Sequence, residues 1–148
     1  MDWVGIVVAG LSATAVITVL MYTGRLMGMP RMDIAQLLGS MVLPQSSAAF
    51  AMGMMAHFVM GIIFVIIHAL AWQGLGLTPN WWTGLIFGAV HAVVAAAGIT
   101  IMMPVHKEVR AGRLSNPLAV GPKGMIGLLL GHLVFGLVVA LVYRPFVV

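Results

Sequence analysis

The sequence predicts an all-α protein, a bundle of four transmembrane helices forming one integral membrane domain over residues 1–148. Three observations predict it. The first is composition: 62% of the residues are hydrophobic, 7% are charged, and mean hydropathy is +1.14. Soluble domains carry about 25% charged residues, so seven Lys and Arg with three Asp and Glu cannot solvate a globule of 15.7 kDa. A soluble enzyme is excluded. The second is the clustering of apolar residues into four blocks, each near the length that crosses a bilayer core of roughly 30 Å. The third is that the acids and bases fall between these blocks. Helices rather than barrel strands are required, because the alternating polar pattern of a barrel is absent and unpaired backbone in lipid costs several kcal/mol per group.

The chain opens Met1-Asp2-Trp3, with an acid where a secretory signal would carry bases, and the following apolar run is too long for one. It reads as a retained first span, Val4–Tyr22. Loop one follows, in which Pro30 restarts the chain after Gly28. Its apolar residues Met32, Ile34, Ala35, Leu37, Leu38 and Met41 alternate with Arg31, Asp33 and Gln36. That pattern fits a short interfacial amphipathic helix, the alternative being a partly buried connector. Span two is Ala48–Trp72, and the loop after it, Gln73 to Asn80, carries no charge. Span three is Trp82–Met103. Loop three holds Lys107, Glu108, Arg110, Arg113 and Lys123, and span four is Met125–Tyr143.

Six of the seven basic residues lie in loops one and three, which the positive-inside rule places in the cytoplasm, with both termini outside. Arg144 is the exception, placed to snorkel to the outer interface. Trp72, Trp81 and Trp82 bracket the uncharged loop as an aromatic belt would. The positive charge thus has a membrane explanation, and nothing points to nucleic acid.

The two halves of the chain resemble each other at an offset of 74 to 75 residues, as a duplicated helical hairpin would. Gly10 matches Gly84, Met29-Pro30 matches Met103-Pro104, and His57-x-x-x-Gly61 matches His132-x-x-x-Gly136. Small residues recur along every span. Gly10, Thr14 and Thr18 line the first, and Gly53 and Gly61 the second. Gly84, Gly88, Ala92 and Ala96 line the third, and Gly127, Gly131, Gly136 and Ala140 the fourth. Such ridges let helix backbones approach closely, within the chain or against a neighbouring subunit.

Four of the five histidines fall inside spans: His57, His68, His91 and His132. His106 lies in the basic loop and is expected to be solvated. Intramembrane ionisable residues face the bundle interior and mark function by default. One reading is a b-type haem ligated by His57 and His132 at equal depth, with a glycine one turn away leaving room for the ring, and a second, outer site at His68 and His91. A second reading is Cu(I) held by thioethers near His57, notably Met52 and Met55. The plain alternative is interhelical hydrogen bonding. With no cysteine, disulfides, thiolate metal sites and c-type haem are excluded. The three acids lie outside the spans, so no carboxylate relay exists for ion or proton transport.

The run Gly24-Arg25-Leu26-Met27-Gly28-Met29-Pro30-Arg31-Met32-Asp33-Ile34-Ala35 resembles a family of small bacterial four-span membrane proteins of unknown function. So do His57-x-x-x-Gly61, Trp82-x-Gly84, Phe87-Gly88-x-x-His91 and Gly131-His132-x-x-x-Gly136. The resemblance covers most of the chain and implies a multi-pass protein of the bacterial inner membrane, but it supplies no activity. Low charge, short loops and packing ridges together lead to the expectation of a non-catalytic subunit. It would stabilise a larger membrane complex, of a redox or energy-transducing kind, by packing against other integral subunits or copies of itself. A bis-histidine electron carrier and a Cu(I) binder are the alternatives.

Overall fold

A computed structural model describes residues 1–29, 33–117, 119 and 121–148. The described residues form six α-helices and no strand: α1 (Trp3–Thr23), α2 (Ile34–Gly39), α3 (Ser47–Gly74), α4 (Trp81–Met102), α5 (Lys107–Arg110) and α6 (Pro122–Tyr143). The four long ones, α1, α3, α4 and α6, are each long and apolar enough to cross a membrane. Their bounds differ from the sequence expectation by three residues at most, at the start of α6.

Local chemistry explains where they begin. Asp2, the acid before the first span, is the N-cap of α1, its carboxylate accepting from the Gly5 N–H at 2.6 Å. Ser46 caps α3 in the same way through the Ala49 N–H. Asn80 and Thr83 form a reciprocal capping box at α4. At α6 the glycine Gly121, at φ 76°, turns the chain into Pro122, whose ring fixes the first helical φ. α3 stops at Gly76, also left-handed, where the Leu77 N–H returns to the Trp72 carbonyl.

The spans pack in the order α3, α1, α6, α4 around the bundle through three close seams. A Cβ on Gly10 would stand 2.9 Å from the Ile62 Cα, and one on Gly61 would strike the Thr14 hydroxyl, so α1 and α3 nearly touch. Between α4 and α6 the approach is backbone to backbone. A Cβ on Gly84 would lie 2.6 Å from the Gly136 carbonyl oxygen, one on Gly136 would lie 2.7 Å from the Gly88 Cα, and one on Gly88 would strike the His132 carbonyl. Gly127 and Gly131 face Met29 and Ile17, on the α1 side of α6. α3 and α4 meet differently, through large rings. The apolar core, with Ile6, Ala9, Val65, Trp72, Phe135 and Tyr143, occupies the half of the bundle nearest the tryptophan-bearing loop.

Toward the other end α2 runs antiparallel along the first turns of α3. A Cβ on Gly53 would overlap the Ala35 carbonyl, and one on Gly39 the Ala49 carbonyl. Asp33 caps α2 by accepting from the Gln36 N–H at 3.0 Å. Pro30, Arg31 and Met32 of the loop motif lie outside the described residues.

Two sequence expectations are corrected. His106 is not solvated: it is 1% exposed, and its Nε2–H donates to the Leu37 carbonyl at 2.8 Å while its Nδ1 accepts from the Val109 N–H. It thereby caps α5 and satisfies a carbonyl left over at the end of α2. Trp72 is no belt residue. It is 2% exposed and stacks between Phe87 and Tyr143, because it lies one turn beyond His68 on the interior face of α3. Trp81 and Trp82 do face outward.

Candidate functional site

The interior histidines arise from equivalent places in three helices. His57, His91 and His132 each follow the first helical residue by ten positions, at Ser47, Trp81 and Pro122 respectively, roughly 15 Å along each axis. His68 lies further along α3, six residues before Gly74. The geometry brings three of them together. The rings of His91 and His132 meet edge to face at 4.6 Å, and those of His68 and His91 at 5.6 Å. His91 therefore bridges α3 and α6 from α4.

Aromatic rings enclose this cluster. Phe64 lies 3.7 Å from His91, and Phe135 packs edge-on against both His68 and His91. Phe87 and Trp72 close the far side of His68. The result is a plug of rings that fills the α3–α4 side, where no glycine seam draws the backbones together. His132 donates its Nδ1–H to the Leu128 carbonyl at 2.7 Å, a bond to its own helix. By contrast the Nδ1 atoms of His68 and His91, His57 Nε2 and Trp72 Nε1 are buried with no hydrogen-bond partner among the described residues. The first two belong to side chains only 5% and 7% exposed. Cohesion here comes from ring packing.

The haem reading paired His57 with His132, and between these two rings the structure shows no ring contact. The room anticipated beside each is occupied by backbone: Gly53 by Ala35, Gly61 by Thr14, and Gly136 by Gly84 and Gly88. The ring contacting His132 is His91. His57 meets only its sequence neighbour Phe58 among the aromatic and histidine rings. His68 and His91, the outer pair, do adjoin, but their shared surroundings are filled by Phe64, Phe87 and Phe135. Of the thioethers, Met52 is half-buried while Met55 is 66% exposed and points away from the bundle. Among the described residues no group of three or more histidines and carboxylates is arranged to hold a metal ion.

Sequence reasoning missed the ring plug. Its signal was present in the spacing Phe64, His68, Trp72 on α3 and Phe87, His91 on α4, successive turns of one face of each helix. Compared with known protein families, curated proteins and solved structures, the chain matches none.

Proposed function

We propose that this protein is a small, non-catalytic integral membrane subunit that packs against and stabilises a larger membrane assembly, of the redox or energy-transducing kind. The observation that carries this reading is the commitment of the interior to packing. Three glycine seams are closed to van der Waals limits, and the intramembrane histidines are wedged among aromatic rings in place of acid–base partners. The outward faces of α1 and α3 offer apolar side chains such as Leu11, Val19, Val59, Ile63 and Ile67, a surface suited to lipid and to other spans. Six of the seven basic residues fall in loops one and three of the sequence, which supports a bacterial inner-membrane orientation with those loops cytoplasmic and both termini outside.

The test has two parts. Purified alone in mild detergent, the protein is expected to give the same absorption spectrum oxidised and dithionite-reduced, without stoichiometric iron or copper. Solubilised from native membranes, a tagged copy is expected to migrate on a native gel well above its own 15.7 kDa, together with defined membrane proteins. A Soret band lost in His57→Ala or His132→Ala would overturn the reading in favour of electron transfer. Migration only as the isolated chain would overturn it as well.

A further inference from the structure

The end of the bundle that carries loop three holds a feature the packing does not explain. A recess of about 460 Å³ opens there, lined by Thr100, Met103, Pro104, Val109, Asn116 and Ala119. From it the second half of α4 presents an exposed apolar face. Val93 is 70% exposed, Ile101 is 76% exposed, and a Cβ on Gly98 would meet nothing within 4 Å. The recess therefore continues into an apolar wall of helix surface at membrane depth.

Cations flank the recess along the chain. Val109, one of the lining residues, lies in α5 between exposed Lys107 and Arg110, and exposed Lys123 stands at the start of α6. The loop has one carboxylate, Glu108, and Arg113 already takes it in a two-pronged pair at 2.6 and 2.8 Å. Lys107, Arg110 and Lys123 have no ion-pair partner among the described residues. Thr100 returns its hydroxyl to the Ala96 carbonyl at 2.8 Å, so its methyl is left to face neighbours as an apolar group.

We propose that this recess binds the headgroup of one acidic phospholipid. Its phosphate lies at Lys107 and Arg110, its glycerol region lies in the recess beside Asn116, and one acyl chain runs along α4 past Ile101 and Gly98. The three parts match the three chemistries of that ligand: cations left without a carboxylate at the membrane surface, a mixed recess below them, and bare apolar helix deeper still. A zwitterionic lipid fits the wall equally well but brings a cation against Lys107 and Arg110. Free phosphate fits the rim and leaves the wall uncovered.

The experiment is native mass spectrometry of the full chain released from detergent, with phosphatidylglycerol or phosphatidylcholine of identical chains added. One phosphatidylglycerol is expected to remain bound at a collision energy that strips phosphatidylcholine. Lys107→Gln and Arg110→Gln are each expected to lower its retention about fivefold. Thr100→Trp, which fills the recess, is expected to remove it, and Arg25→Gln in loop one is expected to change nothing. Circular dichroism of each variant checks that the helices persist. Equal retention of the two lipids, or full retention in the Lys107→Gln/Arg110→Gln double variant, would overturn the proposal. So would displacement of phosphatidylglycerol by millimolar inorganic phosphate, which would make the site one for the ion.

Discussion

The hairpin of α1 and α3 and the hairpin of α4 and α6 solve one packing problem with different atoms. In each, a glycine of the first helix meets the second helix near a glycine 51 or 52 residues later: Gly10 beside Ile62 and Gly61, Gly84 against Gly136. The positions correspond at the offset of 74 to 75 residues seen in the sequence. What faces the second glycine differs. Gly61 looks onto the Thr14 side chain, whereas Gly136 looks onto the backbones of Gly84 and Gly88. The loop helices correspond too, for Asp33 caps α2 and His106 caps α5. Yet only α2 is long enough to lie along its span, and His106 joins the pair by bonding Leu37. The difference teaches that close approach needs one wall without a Cβ, while the other wall can carry a side chain able to move.

The largest effects follow from that contrast. Gly136→Ala pushes a methyl into backbone that cannot rotate away and is expected to cost about 3 kcal/mol. Gly61→Ala meets a threonine side chain, is expected to cost about 1 kcal/mol, and is expected to be rescued by Thr14→Ala. Reversible unfolding in mixed micelles measures all three. Equal costs for the two glycines would break the distinction between the hairpins.

Next comes the ring plug, which belongs to neither hairpin alone. His91→Ala removes the ring that bridges α3, α4 and α6 and is expected to cost about 3 kcal/mol through the cavity left behind. His91→Phe keeps a ring and removes a buried nitrogen without a partner, so its stability is expected to match the parent within about 1 kcal/mol. A large loss in His91→Phe would mean that the imidazole nitrogens carry chemistry that ring packing does not.

The tie between the loops should matter less. His106→Ala leaves the buried Leu37 carbonyl with only the long bond from the Ser40 hydroxyl and is expected to cost about 2 kcal/mol. Limited proteolysis is expected to cut the segment after Val105 faster in that variant. Asp33→Ala, which removes the α2 cap together with a long hydrogen bond from the Tyr22 hydroxyl, is expected to cost about 1 kcal/mol. The smallest effect is at the Glu108–Arg113 pair, whose guanidinium is open to solvent. The hydrogen bond from Arg113 holds the Glu108 carboxyl below its ordinary range. A lowered folded-state value means that its contribution is present at neutral pH and is lost only as pH falls through that value. Melting temperature is therefore expected to be unaffected by this pair between pH 7 and pH 5, and Glu108→Gln is expected to shift it within measurement error.

Much of this was written locally. Four apolar runs bounded by Asp2, Ser46, Asn80 and Gly121-Pro122 determine four spanning helices, since backbone in lipid must bond to itself and each start needs a cap or a turn. The small residues likewise announce that backbones approach. Which faces meet was beyond the sequence. Gly53 and Gly61 both flank His57, yet one packs on α2 and the other on α1, and neither leaves space for a ring. Identical imidazoles at matching positions met different fates: His132 bonds its own helix, while His57 Nε2 has no hydrogen-bond partner among the described residues. His106 looks like a loop residue until α2 delivers a carbonyl to it. Helix identity depends on neighbours within a few residues, and so it is legible in one dimension. The partner of a histidine is decided by the rotation and crossing of helices tens of residues apart, which only the packed bundle fixes.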